Sequence, residues 1–275
     1  MLALTKEHIT DLYVWVDDLI PKSEVGKPVG GRPQLLSKSE VVTLLVFNSL
    51  TVKSKTLKDI YSWAQIYHRN DFPNFPKYKR FVENCHEALP AIICILLQTF
   101  DSDCPFKIMD STMLEVCKLV RADSHKVAVN IAQFGKNHQG WHYGFKLHAS
   151  INVTGQFSGI FFTPANFHDA QAMPKILNNK TKLAVGDGTY TAYVMKEFIW
   201  RKYGTIIISP PHPKQNKKLM TPWQDKVLKI RTKIETVFDY LKEHLHLVSS
   251  FPRSVTGYFL HYLRILLGYQ VMAIS

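Results

Sequence analysis

From residue 105 onward the chain alternates short apolar runs of strand character with longer stretches of helical spacing, and this alternation limits the possible folds more than any other feature. "PFKIMDSTMLEVCK" reads as a strand followed by a turn or a second strand. "YGFKLHASINV" and "QFSGIFFTPAN" flank a Thr154-Gly155 turn, which predicts a β-hairpin. "DAQAMPKILNN" has helical character, and "TKLAVGDGTY" is a short apolar run that stops at Gly-Asp-Gly, as at the end of a strand. "AYVMKEFIWRKYG" is a helix closed by glycine, and "TIIIS" is a buried strand. A basic, Pro-rich loop over 209–224 leads into a further helix, and "GYFLHYLRILLGYQVM" is helical again. The order is β-β-β, then α-β-α-β-α, without an internal repeat. Such an order predicts an α/β fold with helices layered on a mixed sheet.

Residues 1–100 have a different character. Ile9, Leu12, Tyr13, Val16 and Leu19 recur at helical spacing up to Pro21, and "PKSEVGKPVGGRPQ" is a basic connector rich in Gly and Pro. Ser37 and Glu40 form a capping-box pattern ahead of "VVTLLVFNSL", and "TLKDIYSWAQIYH" follows a short polar break. Two helices so joined are compatible with a helix-turn-helix, although their spacing favours plain helical packing. We therefore expect a helical region over 1–100 and a second, mixed domain over 101–275.

Lys and Arg number 34 against 22 Asp and Glu, a formal charge of +12, which favours a polyanionic partner. None of the four cysteines, Cys85, Cys94, Cys104 and Cys117, forms a CxxC pair, as expected of reduced thiols. The first twenty residues carry acids throughout, unlike a signal peptide, and the longest apolar runs are too short to span a bilayer. The expectation is a soluble, cytoplasmic protein.

Three acids stand apart. In "KIRTKIETVFDYLKEHL", residues 229–245, helical geometry places Ile230, Ile234, Phe238, Leu241 and Leu245 on one apolar stripe. Arg231, Glu235 and Lys242 then lie within roughly 40° of one another along its flank. Alone, this reads as a surface ion pair worth about 0.3–0.5 kcal/mol. Asp110, however, ends the apolar run "FKIM", and Asp187 ends "KLAVG" between two glycines. Carboxylates at the ends of adjacent strands project to one rim of a sheet, where α/β folds commonly place their sites. Two carboxylates about 4 Å apart repel by about 4 kcal/mol at an effective dielectric of 20, a cost that a divalent cation removes. Oxygen-only ligands favour Mg²⁺ or Mn²⁺.

On these residues the chain resembles the DDE transposases of bacterial insertion sequences, whose catalytic domain has the ribonuclease-H-like fold of retroviral integrases. "IMDST" is similar to the first-Asp strand of that family, "VGDGTY" to the second-Asp segment, and "RTKIETVFDYLK" to the helix that carries the Glu. Many members have Tyr-x2-Arg-x3-Glu-x6-Lys there. Arg231, Glu235 and Lys242 match the last three places, while Leu228 stands at the Tyr place. "GRPQLLSKSEVVTLLVFNSL" is similar to the helical DNA-binding region of the family.

The resemblance implies that Asp110, Asp187 and Glu235 are catalytic and hold two Mg²⁺ ions, with Mn²⁺ as substitute. It further implies cleavage at the ends of an insertion sequence and joining of the 3′ ends to target DNA. Arg231 and Lys242 are then phosphate contacts, in a dimer or larger complex on double-stranded DNA.

Weaker signals lie outside these motifs. Lys146, with His125, Lys126, Lys136 and His138, suggests a partly basic surface near DNA, and Lys217 and Lys218 in the 209–224 loop suggest a backbone track with Trp223 as a stacking platform. Asp169 is expected to cap the helix after "NFH" or to lie near the metals. His138, His142 and His148 lack the one-face spacing that a zinc site has on a helix. Two other functions are compatible with the residues: a nuclease of the same fold without strand transfer, and a DNA-binding repressor whose acids are structural.

Overall fold

The computed structural model describes residues 8–21, 35–137, 140–211, 220–248 and 252–274. Contacts divide the chain into two units, one within Met1–Thr99 and Leu241–Ser275, the other Phe100–Tyr240.

The first unit is helical: α1 (His8–Leu19), α2 (Lys38–Thr51), α3 (Leu57–Tyr67), α4 (Tyr78–Glu87) and α5 (Leu89–Gln98). The Ser37–Glu40 capping box starts α2, and a second, Thr56 with Asp59, starts α3. The basic connector at 22–34 lies outside the described residues. The carboxy-terminal helix groups with this unit rather than with the sheet. It is apolar on nearly every side, with buried residues from Gly257 to Val271, and such a helix needs several helical neighbours to cover it. α2, α4 and α5 supply them. Among the described residues no single helix is long and apolar enough to cross a membrane.

The second unit is built on a mixed sheet of β1 (Phe106–Glu115), β2 (Gln133–Asn137), β3 (Gly140–Ile151), β4 (Phe157–Pro164), β5 (Leu183–Val185) and β6 (Ile206–Ile208). β1, β3 and β4 run consecutively antiparallel, whereas β5 pairs parallel to β1 and β6 parallel to β5. The order across the sheet is therefore β4-β3-β1-β5-β6, with short β2 against the first half of β3. β1 does not stop at Asp110. It continues as one strand because β3 pairs with it from Ile108↔Ile151 to Glu115↔Gly144. Gly144 is needed at that crossing, since a Cβ there would lie 2.1 Å from the Leu114 carbonyl oxygen. The hairpin turn after β3 is organised by Asn152, whose Oδ1 accepts from the backbone N–H groups of Thr154, Gly155 and Gln156.

Helices cover both faces of this sheet. α6 (Asp169–Ile176) and α7 (Tyr193–Tyr203) enclose a core with Met109, Ala184, Tyr190 and Ile207. Gly204, at φ 68°, closes α7 in the left-handed conformation that favours glycine. On the opposite face Val185, Ile208 and Phe106 pack with Val227 and Leu228 of α8 (Pro222–Lys229). The predicted single helix over 229–245 is interrupted. α8 ends at Lys229, three-residue backbone bonds such as Arg231 N–H to Leu228 O carry the chain over, and α9 spans Thr232–Asp239. A π-helical turn, Tyr240–His244, follows. Ile234, Val237 and Phe238 of α9 are buried, whereas Ile230, at the break, is 40% exposed and leaves the predicted stripe.

Candidate active site

β1 and β5 set the first two acids side by side. Their last parallel pair is Ile108↔Val185, and Asp110 and Asp187 each lie two residues beyond it. Side chains alternate along a strand, so Asp110 follows the parity of Phe106 and turns away from the Met109 core, toward the face that carries α8 and α9. Ser111 N–H donates to Asp110 Oδ1 at 2.8 Å. Asp187 caps the 3₁₀ turn Gly188–Thr191, its Oδ1 accepting from Thr189 N–H at 2.9 Å and from the Thr189 hydroxyl. Both bonds fall on one oxygen. The glycine before Asp187 has a steric reason: a Cβ on Gly186 would lie 2.5 Å from the Tyr190 ring.

α9 packs on β1 and brings the third acid. Arg231 joins the group together, with Nη1 2.5 Å from Glu235 Oε1 and 4.0 Å from Asp110 Oδ2. Asp110 is the most enclosed, with 16% of its side chain exposed against 44% for Glu235. Burial, and then the negative charge of Asp187, push the Asp110 carboxyl up to about 7, against the opposing influence of the Ser111 N–H and the Arg231 charge. Arg231 thus compensates the acids only in part. Among the described residues no group of three or more His, Cys, Asp or Glu stands within joint ligating distance of one ion. The donor chemistry nevertheless fits a hard divalent cation: all three groups offer carboxylate oxygen, and burial, followed by the Asp187 charge, raises the Asp110 carboxyl, a cost that a bound cation would offset.

The other predicted residues have different places. Lys146 is not on the hairpin surface. It is buried, with Nζ 2.9 Å from Asp169 Oδ1 and donating to the Phe167 carbonyl at 2.9 Å. It sits on the buried half of β3, between β1 and β4, where the Asp169 carboxylate compensates its charge. Asp169 is not the helix cap either. His168 takes that place, accepting from Ala170 N–H at 3.3 Å, and Asp169 is the first residue of α6. Lys242 is half-buried in the π-helical turn. Lys217, Lys218 and His138 lie outside the described residues, and Trp223 in α8 is 55% exposed. His142 faces Glu115 and Asn137, at 2.6 and 2.8 Å, and His148 faces Thr163 at 2.8 Å.

Tyr190 was not foreseen from the sequence. It is fully buried in the Met109 core, and its hydroxyl has no hydrogen-bond partner among the described residues. Burial, followed by the charges of Asp169, Asp110 and Asp187, holds its phenol well above the usual range. The available signal was the glycine at 186, which leaves space for an aromatic ring.

Two acids just beyond the last β1–β5 pair, with a third acid from a helix packed on β1, form a carboxylate group on the sheet of an α/β unit. The family model for the transposase DDE domain matches residues 102–255. The match covers more than half of the chain, and the protein belongs to this family: it is a DDE transposase, of a DNA-cleaving enzyme class whose members generally use divalent metal ions. No curated protein sequence matches the chain.

Proposed function

We propose that this protein is a transposase that binds the ends of its own insertion sequence, cuts the phosphodiester there and joins the 3′ ends to target DNA. The observation that carries this reading is the placement of Asp110 and Asp187 at one level beyond the β1–β5 pairing, with Glu235 tied to Asp110 through Arg231. The antiparallel β4-β3-β1 run followed by parallel β5 and β6 supports a ribonuclease-H-like assignment for the second unit.

Asp110, Asp187 and Glu235 would hold two Mg²⁺ ions, for which Mn²⁺ can substitute. When bound, such ions activate an attacking hydroxyl and stabilise the leaving oxygen in an in-line displacement. The protein's own groups prepare for this. The Ser111 amide and Thr189 orient the two aspartates, and burial keeps Asp110 ready to lose its proton when a cation arrives. Arg231 holds Glu235 until a DNA phosphate competes for its guanidinium, a planar fork suited to phosphate oxygens. Lys242 would add a phosphate contact from the π-helical turn. The helical unit, with its two capped helices α2 and α3, would supply recognition of the DNA end in a dimer or larger assembly.

The test uses the full chain and linear DNA taken from the borders of its own gene, with and without Mg²⁺, beside a second DNA. The reading predicts metal-dependent cuts at the element end and joined products. Cuts without joining would reduce the protein to a nuclease. Binding without cuts in either metal would leave a DNA-binding protein with structural acids.

A further inference from the structure

The helical unit contains a cleft of about 600 Å³ whose wall includes Lys55, Lys58, His86, Arg253 and Arg264. Its lining, among the described residues, has no Asp or Glu. Arg264 is the unusual member. It is 1% exposed, and its guanidinium donates to the Ser49 hydroxyl at 3.1 Å and to the carbonyls of Ser54 and Lys55 at 2.8 and 3.3 Å. A fourth contact, at 3.2 Å, is His261 Nδ1. That nitrogen must accept, and His261 Nε2 lies 3.1 Å from the His246 carbonyl, so the ring is neutral with its proton on Nε2.

All four partners are dipoles, and among the described residues no carboxylate pairs with Arg264. Burial pushes its guanidinium down to about 10, against an opposing influence of Cys85. A buried charge without a counter-ion is costly, and breaking a well-satisfied one costs several kcal/mol, so an unbalanced cation below an open cleft calls for an anion from outside. Lys55, Lys58 and Arg253 are exposed at the rim. Two helix starts add to the field. Thr56 caps α3, and Ser254, whose hydroxyl accepts from Gly257 N–H at 3.0 Å, opens α10 (Val255–Ile274); both line the cleft.

We propose that this cleft binds phosphate groups of a DNA backbone, with Lys55, Lys58 and Arg253 as the contacts and buried Arg264 as a fixed positive floor. The proposal rests on the reading of the protein as a DNA-cleaving transposase and adds to it a contact surface remote in sequence from the acids. The residues are contributed by both ends of the chain, 55–86 and 252–264, so the surface requires the carboxy-terminal helix as well as the amino-terminal ones.

The experiment compares the full-length wild type with the triple substitution Lys55→Gln, Lys58→Gln, Arg253→Gln. All three side chains are exposed, and thermal unfolding of both proteins verifies that the fold persists. Binding to a fixed DNA duplex is measured across a salt series. Each phosphate contact contributes about −0.9 to the slope of log K against log salt, so loss of two or three contacts should flatten the slope by about 2–3 and weaken binding at least tenfold at low salt. An unchanged slope with unchanged affinity overturns the proposal. In a parallel arm, inorganic phosphate is added at constant ionic strength. Stabilisation of the wild type by phosphate, absent in the variant and without competition against DNA, would also overturn it, in favour of a small phosphorylated ligand. Metal-dependent cleavage by the wild type is recorded in the same preparations. Its absence would count against the enzyme reading, whereas wild-type cleavage with unaltered DNA binding by the variant would count against the cleft alone.

Discussion

Two acid–base pairs in the sheet unit have the same chemistry and opposite settings. Lys146–Asp169 is enclosed, with side chains 10% and 12% exposed, and the Lys146 ammonium is satisfied by the carboxylate and a backbone carbonyl. Arg231–Glu235 is open, 27% and 44% exposed, and one guanidinium serves two acids, of which Asp110 also feels the Asp187 charge. The enclosed pair is balanced and fixes β3 to the start of α6. The open group is under-compensated and accessible. The difference teaches that charge type does not assign a role to a residue here; burial and charge balance do. A lysine on the buried part of a strand is held by an enclosed acid, whereas an arginine between one enclosed and one open acid stays partly reachable from solvent.

The largest expected effect on stability follows from breaking the enclosed pair. Lys146→Met leaves Asp169 buried and uncompensated, and should cost about 3–5 kcal/mol in denaturant unfolding. A loss below about 1 kcal/mol, with weakened DNA binding, would return Lys146 to the surface role its sequence context suggested. The second effect concerns pH. Asp110 titrates near 7 in the fold against an ordinary 3.8, so the fold favours its neutral form. That stabilising contribution is complete below about 4 and is lost as pH rises through about 7. Metal-free wild type should therefore lose on the order of a few kcal/mol across this interval relative to Asp110→Asn. Parallel pH profiles for the two proteins would remove Asp110 as the source. The smallest effect is at Arg231. Arg231→Gln should change stability by less than about 1 kcal/mol, because the pair with Glu235 is exposed. It should also shift the Asp110 titration upward, since a positive neighbour that lowers it is gone. A downward shift read by carboxyl NMR would contradict the bridging role of Arg231.

Much of this arrangement was legible in the sequence because it rests on local signals. The capping box at Ser37, the hairpin at Thr154-Gly155, the glycine that closes α7 and the short strands β5 and β6 all follow from neighbours within a few residues. The Arg231–Glu235 contact followed from helical spacing alone. The failures involve partners distant in sequence. β1 runs past Asp110 because β3, some forty residues further on, pairs with it, and the residues of β1 do not specify that length. Lys146 is inward because its acid is at 169. The break at Ile230 and the π-helical turn after Asp239 interrupt a stretch whose apolar spacing is continuous. The grouping of the carboxy-terminal helix with α2, α4 and α5 was hidden for the same reason: a helix that is buried on nearly every side announces burial but not its partners.

The central claim is that Asp110, Asp187 and Glu235 act as one metal-binding set at the end of the sheet. Its most direct test is cleavage of element-end DNA by Asp110→Asn, Asp187→Asn and Glu235→Gln, each in Mg²⁺ and in Mn²⁺, with DNA binding measured on the same preparations. Loss of several kcal/mol of transition-state stabilisation corresponds to a rate on the order of a thousandfold lower, with binding and melting preserved. All three amides should show that pattern. Glu235→Gln cutting at the wild-type rate would contradict the account, because the open ion pair would then be the ordinary surface contact that its helical spacing alone describes.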